Sequence, residues 1–215
     1  MSAAAAIAVL PGPLPAARQS TVPMSAEPAS EHLARLPRAG RLRERREGAL
    51  VRDAQRGSTD ALEELFRRHW RRAHRAAFLV VGDAAAAEDI AQESFLAAIR
   101  ALDRFDRRRP FGPWLHRITV NRAIDFSRAR ALRGERALAE ATEGSAADRD
   151  AISDELLRAL AGLSPEHRAV VVLRHLLGYT PGEIGEILGL PRGTVNSRLR
   201  RALDRLRPAV EEDRR

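Results

Sequence analysis

The sequence predicts an all-α protein made of two small helical domains. In several segments apolar residues recur at three- and four-residue steps, as on one face of a helix, and no segment alternates apolar and polar residues for long enough to form a strand. The chain has 215 residues, of which 44% are hydrophobic and 31% charged, a globular composition that allows one fair-sized domain or two small ones. Because aromatic residues make up only 4%, the cores must consist mostly of Leu, Ile, Val and Ala.

Three helices are expected in the first domain. Ser58 can cap a helix that Gly82 ends, with apolar residues at helical spacing between them. Asp83 can cap a second helix directly afterwards. Proline and glycine mark residues 107–113 as a loop, and a third helix is expected over residues 114–130.

The chain divides where its composition changes. An Ala- and Pro-rich stretch without periodicity comes first, and we expect it to be disordered. A polar, acidic segment between the two helical parts is expected to be a flexible linker. The expected segments are a disordered N-terminal extension over 1–46, a first domain over 47–130, an acidic linker over 131–151, a second domain over 152–208 and a C-terminal tail over 209–215.

A helix-turn-helix is the strongest local signal in the second domain. Thr180 and Glu183 form a capping box before a short amphipathic helix. Gly189 can supply the left-handed turn, and Pro191 is expected to start the second helix. Four apolar residues of this second helix are expected to face inward: Val195, Leu199, Ala202 and Leu206.

The outward face of the second helix is rich in hydrogen-bond donors. The planar fork of Arg suits phosphates and guanine edges, and Asn suits adenine. The alternative is a helical hairpin whose polar face is merely solvated, but the capping box, the glycine turn and the Arg-rich helix together favour DNA binding. The candidate DNA-contacting residues are Arg192, Thr194, Asn196, Ser197, Arg198, Arg200 and Arg201.

The charge balance favours a polyanionic partner. All 37 basic residues are Arg, and the net charge is +8. An Arg- and Ala-rich chain is also what a GC-rich genome encodes, so the missing lysine by itself indicates little. The charge is uneven along the chain, because an acidic segment over 137–164 separates two basic ones.

The composition and spacing exclude several classes of protein. The chain has no Cys, which rules out disulfides, thiolate zinc sites and cysteine nucleophiles and fits a reducing, cytoplasmic location. No apolar run reaches the roughly 18–20 residues of a membrane span, so we expect no membrane insertion. The histidines lack metal-ligand spacing, and adjacent carboxylates such as Glu88 and Asp89 diverge on a helix. We therefore expect no enzyme activity, no metal and no cofactor.

Three motifs in the first domain carry a family resemblance. They read EDIAQESFL at 88–96, ALDRF at 101–105 and FGPWLHRI at 111–118. Together they resemble region 2 of bacterial RNA polymerase sigma factors, in the extracytoplasmic-function (ECF) group of the sigma-70 family. Residues 163–207 are similar to region 4 of the same family, and the two regions stand in the family's order.

This resemblance implies that the chain binds core RNA polymerase and directs promoter-specific transcription initiation. The polymerase contacts would be the β′ clamp and the β subunit. An acidic helix face is by itself usually just solvated, so the docking assignment depends on the EDIAQESFL motif. The implied polymerase-docking residues are Asp89, Gln92, Glu93 and Phe95.

The loop over 107–113 and the helix after it resemble the element that reads the −10 promoter element, and the second domain resembles the reader of the −35 element. A base must leave the stack to be read on its edges, and Arg and aromatic planes can hold a splayed single strand. The implied −10 contacts are Arg108, Arg109, Phe111, Arg117, Asn121 and Arg122.

The resemblance also implies control by an anti-sigma factor. One departure from the family concerns Ile99, which stands where many members have Trp, and we expect it in the core. Two rival functions remain open. The chain could be a free-standing regulator that binds duplex DNA without polymerase, or a pure interaction protein that sequesters a polymerase or sigma component.

Overall fold

The chain folds, in a computed structural model, into eight α-helices and a short 3₁₀ helix (Leu102–Arg104) over the residues that the structure describes. The backbone is described over 38–133 and 154–212, and the side chains over 46–133 and 156–208. The described ranges contain no strand, as the predicted all-α class requires. The helices are α1 (Arg38–Gln55), α2 (Thr59–Val81), α3 (Ala84–Ala101), α4 (Phe111–Leu132), α5 (Asp154–Ala161), α6 (Pro165–Val171, continued by a π-helical turn over Val172–Leu176), α7 (Pro181–Leu188) and α8 (Arg192–Glu212).

The predicted caps of α2 and α3 are confirmed. The Ser58 hydroxyl accepts a hydrogen bond from the Ala61 N–H at 3.3 Å, and the Asp83 carboxylate accepts one from the Ala86 N–H at 3.0 Å. Gly82 ends α2 in the left-handed conformation, with φ of 72°. Asp83 is also bonded by the Arg130 guanidinium at 3.1 Å, so the start of α3 is tied to the end of α4.

Two predicted boundaries in the first domain are wrong. Helix α1 begins at Arg38, so residues 38–46 are helical and not part of a disordered extension. The helix is anchored further along by Val51 and Ala54, which are buried in the first domain. Helix α4 begins at Phe111 and not at residue 114, because the Glu47 carboxylate accepts the Phe111 N–H at 3.1 Å.

The C-terminal boundary also differs from the prediction. Helix α8 continues past Pro208 to Glu212, although residues 209–215 were expected to form a tail. It begins at Arg192, with the carbonyl of Pro191 accepting the Thr194 N–H at 2.9 Å. Helix α4 runs to Leu132, so the first residues of the linker predicted over 131–151 are helical. Residues 1–37 of the predicted extension, 134–151 of the predicted linker and 213–215 of the predicted tail lie outside the described residues.

The cores of the two domains join. Helices α1 to α4 enclose one apolar cluster around Val51, Leu65 and Leu115. The other ends of α2 and α4, at Val80 and Val120, share a second cluster with the buried residues of the C-terminal domain. The chain therefore has the two predicted helical domains, but they pack directly against each other. No helix in the described ranges is long and apolar enough to cross a membrane.

The turn of the helix-turn-helix depends on a glycine. Gly189 has φ of 67°, a conformation that costs an L side chain about 1–2 kcal/mol. We predict that Gly189→Ala lowers the free energy of unfolding by about 1 kcal/mol. The matched control is Gly193→Ala in the first turn of α8, where an added Cβ meets nothing within 4 Å and φ is ordinary. Chemical denaturation of both variants tests this, and equal stabilities would contradict it.

Candidate nucleic-acid interface

The helix-turn-helix is held by a capping box and a close turn. The Thr180 hydroxyl accepts from the Glu183 N–H at 3.3 Å, and the Glu183 carboxylate accepts from the Thr180 N–H at 2.7 Å, as predicted. After Gly189, the Leu190 N–H donates to the Gly185 carbonyl at 2.8 Å. A Cβ on Gly185 would lie 2.6 Å from the Leu190 carbonyl oxygen, which is closer than real Cβ contacts. Only glycine at position 185 therefore lets the turn pass this close to α7.

Burial of one face of α8 leaves its polar residues outside. Val195, Leu199, Ala202 and Leu206 are all buried, as predicted. The candidate residues lie on the rest of the helix surface: Arg192, Asn196, Arg200 and Arg201 are exposed, and Thr194, Ser197 and Arg198 are half-buried. One donor is already engaged, because the Ser197 hydroxyl donates to the Thr194 carbonyl at 2.9 Å.

The arginines of α8 produce a positive field on this side of the domain. The pKa of His167 is lowered, first by burial and then by the charges of Arg198, Arg205 and Arg201. No salt bridge joins these three arginines to an acidic residue within the described ranges. A cluster of guanidinium groups that forms no ion pair with the described acidic residues favours binding of a polyanion.

A second basic surface lies at the start of α4. Arg108 and Arg109 are exposed in the loop before it, where the Asp106 carboxylate accepts the Arg108 N–H at 3.0 Å. Arg117 is exposed on α4, and the two remaining candidates of this helix, Asn121 and Arg122, are half-buried. The structure thus leaves five of the six predicted −10 contacts exposed or half-buried in this loop and along α4.

The sixth residue, Phe111, is a core residue. Its side chain is 4% exposed, and its ring packs edge-on against Phe105 at 5.9 Å and Trp114 at 5.6 Å between centroids. The prediction that Phe111 contacts DNA directly therefore does not fit this structure. Phe111 is the first residue of α4, and at that position its side chain is buried in the core. The expected start at residue 114 had left Phe111 in the loop.

A half-buried carboxylate that the sequence analysis missed holds the start of α4. Glu47 of α1 accepts the Phe111 N–H and lies 3.3 Å from the His69 ring. Burial raises its pKa, but His69 and the N–H groups of Gly112 and Phe111 together hold that pKa below its usual value. Phe111 lies 64 residues away along the chain, so no local pattern could have revealed this contact.

Three of the four predicted docking residues on α3 are exposed, and the fourth is buried. Asp89, Gln92 and Glu93 are all exposed, and the Gln92 amide donates to the Glu88 carboxylate at 3.1 Å. Phe95 is 4% exposed and packs against Phe66 at 4.8 Å between centroids. Phe95 was predicted as a docking residue, but it lies on the inward side of α3 and supports the helix from below.

An apolar ridge that the sequence analysis missed continues this face. Phe66 of α2 is 41% exposed, and Leu96 and Ile99 of α3 are 50% and 45% exposed. Ile99 was expected in the core, and that expectation is wrong. The spacing offered a signal, since Ile99 follows Leu96 by three residues and Leu96 follows Gln92 by four.

The acidic face and the second basic surface are linked by an ion pair. The Arg122 guanidinium of α4 donates to the Glu93 carboxylate of α3 at 2.6 Å. The side chains of Arg122 and Glu93 are 41% and 64% exposed, so water screens the pair and it contributes little stability. It places a predicted docking residue in contact with a predicted DNA-reading residue.

Comparison with known proteins decides the family. A family model described as Sigma-70 region 2 matches residues 65–133, and one described as Sigma-70, region 4 matches residues 159–208. The RNA polymerase sigma factor CarQ of Myxococcus xanthus is 37% identical over 161 residues, which cover 73% of this chain and 92% of CarQ. The chain belongs to the sigma-70 family. Its relatives place this sigma factor in the ECF group, whose members are transcription initiation factors.

Other relatives agree with that placement. The ECF sigma factor SigM of Mycobacterium tuberculosis is 35% identical over 166 residues, covering 76% of this chain and 84% of SigM. The solved structure of CnrH in complex with the cytosolic domain of CnrY has a TM-score of 0.58 at 29% identity, covering 78% of this chain and 98% of that one. RpoE of Bartonella quintana, solved with the anti-sigma factor NepR, shares the fold at 22% identity and a TM-score of 0.56.

The described residues hold no cluster of three His, Asp or Glu side chains that could bind a metal ion. Glu47 instead accepts the N–H at the start of the helix that carries the second basic surface.

We predict that Glu47→Ala lowers the free energy of unfolding by about 1–3 kcal/mol, because a buried N–H loses its acceptor. The matched control is Glu63→Ala, at an exposed position on α2. The pKa of Glu47 is lowered by folding, so its contribution is complete above the ordinary value of 4.5 and is lost as the pH falls below it. Equal losses for the two variants, or a gap between them that does not narrow at all in acid, would contradict this role.

Proposed function

We propose that this sigma factor works in the cytoplasm, docks on core RNA polymerase through α3, reads the −10 element with α4 and its preceding loop, and reads the −35 element with α8. The observation that carries the proposal is that one domain presents both an exposed acidic helix face and an arginine-rich loop. A free-standing duplex-binding regulator needs the second domain only. A polymerase subunit needs both.

The docking surface consists of the acidic face and the apolar ridge. Asp89, Gln92 and Glu93 supply charge and hydrogen bonds, which set orientation and partner choice. Leu96 and Ile99 supply apolar area beside them, where a partner helix gains most of its binding free energy. The partner surface would be the β′ clamp, with further contacts to the β subunit. Phe95 supports this face from within and does not touch the polymerase.

The −10 element is read as a separated strand. Arg108 and Arg109 lie exposed where they can reach phosphates or stack on bases, and Asn121 offers an amide to a base edge. Arg117 and Arg122 extend the positive surface along α4. Phe111 acts indirectly, by packing the start of α4 against the core.

The −35 element is read in the major groove by the first turns of α8. Asn196, Arg200 and Arg201 are exposed on the face opposite the buried Val195, and they are assigned to base edges. Arg192, at the start of the helix, and the half-buried Arg198 are assigned to phosphates, with support from the remaining candidates, Thr194 and Ser197.

An anti-sigma factor is the proposed regulator. CnrH was solved in complex with the cytosolic domain of CnrY, and the Bartonella RpoE in complex with the anti-sigma factor NepR. By extension from these relatives, a dedicated protein would hold this sigma factor inactive until a signal arrives. Since the chain has no Cys, any thiol-based sensing would belong to that protein.

We predict that Asp89→Arg combined with Gln92→Ala weakens binding of core polymerase at least tenfold while leaving the fold intact, because both positions are exposed. Leu96→Asp should act in the same direction by placing a charge in the apolar ridge. Glu186→Arg, an exposed charge change in the other domain, is the control. Unchanged pull-down of core polymerase by the folded variants would overturn the docking assignment.

We predict that Arg200→Ala and Arg201→Ala each cost about 1–3 kcal/mol and relax preference at one position of the −35 element. Arg198→Ala should weaken all sequences alike and reduce the salt dependence of binding. The holoenzyme is titrated against single-base variants of the element at several salt concentrations. If all three variants lose affinity uniformly, α8 anchors the domain without reading bases.

A further inference from the structure

Helix α1 holds the loop over 106–110 at its first end. The Gln55 side-chain amide donates two hydrogen bonds, to the Leu102 carbonyl at 2.9 Å and to the Phe105 carbonyl at 3.0 Å. These carbonyls belong to the short 3₁₀ helix and to the residue that follows it, directly before the loop. One half-buried side chain therefore fixes the point at which the chain enters the loop.

The same helix holds the far end of the loop. The Glu47 carboxylate of α1 accepts the Phe111 N–H at 3.1 Å, at the point where the loop passes into α4. A Cβ on Gly112 would lie 3.2 Å from Cε1 of His69, so the His69 ring packs closely on the first turn of α4. The exit from the loop is thus fixed by a hydrogen bond and by close packing.

The spacing of the two anchors on α1 matches the two ends of the loop. Glu47 and Gln55 are eight residues apart, and the buried Val51 lies midway between them. Steps of four residues keep these three side chains on one face of the helix. At about 1.5 Å a residue, the two anchors are about 12 Å apart along the helix axis. A rigid element therefore sets the distance between the ends of the loop.

Between the anchors the loop is closed by local contacts. The Asp106 carboxylate accepts the Arg108 N–H at 3.0 Å, and the Asp106 carbonyl accepts the Arg109 N–H at 2.9 Å. The ring of Phe105 packs on Trp114 across the base of the loop, at 4.5 Å between centroids. These contacts keep the shape of the loop, whereas its placement on the domain depends on α1.

We propose that α1 is the positioning element of −10 reading: Gln55 and Glu47 hold the two ends of the 106–110 loop so that Arg108 and Arg109 meet the separated strand in one fixed arrangement. The proposal rests on the proposed function, since it takes this loop to read the −10 element. Base reading requires donors held within about 0.5 Å of their productive positions, but attraction to phosphates tolerates looser placement. Gln55 and Glu47 therefore act on sequence preference without touching DNA.

The motion of the loop tests the anchors without any measurement of activity. Because the chain has no Cys, a nitroxide spin label can be placed at Arg107→Cys alone, an exposed position within the loop. Gln55→Glu puts a carboxylate against two carbonyl oxygens, and Glu47→Ala removes the acceptor of the Phe111 N–H. In the free factor each change should raise the mobile fraction of the label about two- to tenfold, the equilibrium effect of one hydrogen bond.

Sequence preference tests the consequence for reading. The holoenzyme is titrated with single-stranded oligonucleotides that carry the non-template −10 sequence of a promoter it transcribes, and with single-base variants of that sequence. Gln55→Glu and Glu47→Ala should each reduce the ratio of affinities for the correct and the altered sequences about two- to tenfold. Affinity for duplex −35 DNA and for core polymerase should be unchanged, because the surfaces proposed for them lie on α8 and α3. General destabilisation would lower all three affinities together.

Control variants separate positioning from stability. Glu47→Gln keeps an oxygen that accepts the Phe111 N–H, so it should retain most of the preference. Gln55→Met keeps the length of the side chain without the donor, so it repeats the test of Gln55→Glu without a charge. Arg52→Ala, at an exposed position on α1, should leave both the motion of the label and the preference unchanged.

Unchanged motion of the label in the folded Gln55 and Glu47 variants, or an unchanged ratio of affinities, would overturn the inference and leave the proposed function standing. Equal losses for Glu47→Gln and Glu47→Ala would overturn it too, because the first variant keeps the acceptor. If the unsubstituted holoenzyme shows no preference among the −10 oligonucleotides, the proposed function of the loop fails and this inference fails with it.

Discussion

Burial of one face of α4 and of α8, the two helices proposed to read DNA, is the constraint on which the rest of the molecule depends. Val195 and Ala202 are inaccessible in the core, so the 3.6-residue period of α8 leaves Asn196 and Arg200 outside. Leu115 has the same effect on α4, where it directs Arg117 outward. The sigma factor thus obtains two rigid basic surfaces from ordinary apolar packing, with Leu, Ile, Val and Ala as the principal core residues.

In the first domain, an ion pair joins the acidic face of α3 to the basic surface of α4. Glu93 of the proposed docking face is paired with Arg122 of α4, the helix proposed to read the −10 element, and Phe95 is buried on the inward side of α3. If core polymerase bound Glu93, Arg122 would lose its partner and could bind a phosphate instead. Polymerase binding and −10 binding would then support each other, by the small amount that one exposed ion pair contributes.

The local part of this structure was predictable, and the long-range part was not. Ser58, Asp83, Thr180 and Gly189 mark helix ends through contacts with residues three or four positions away, so their pattern is visible in the sequence. The Glu47–Phe111 and His116–Tyr179 contacts join residues more than sixty positions apart and leave no local signal. They determine where α4 begins, why Phe111 is buried, and how the two domains pack.

The central claim is that the chain acts as the promoter-specificity subunit of RNA polymerase. Run-off transcription with core polymerase and a library of candidate promoters tests it most directly. The account predicts transcripts from a subset of promoters that carry both elements, with loss of the transcript when either element is scrambled. Absence of any transcript from core plus factor, together with specific binding of the factor alone to duplex DNA, would contradict the account and identify a free-standing regulator.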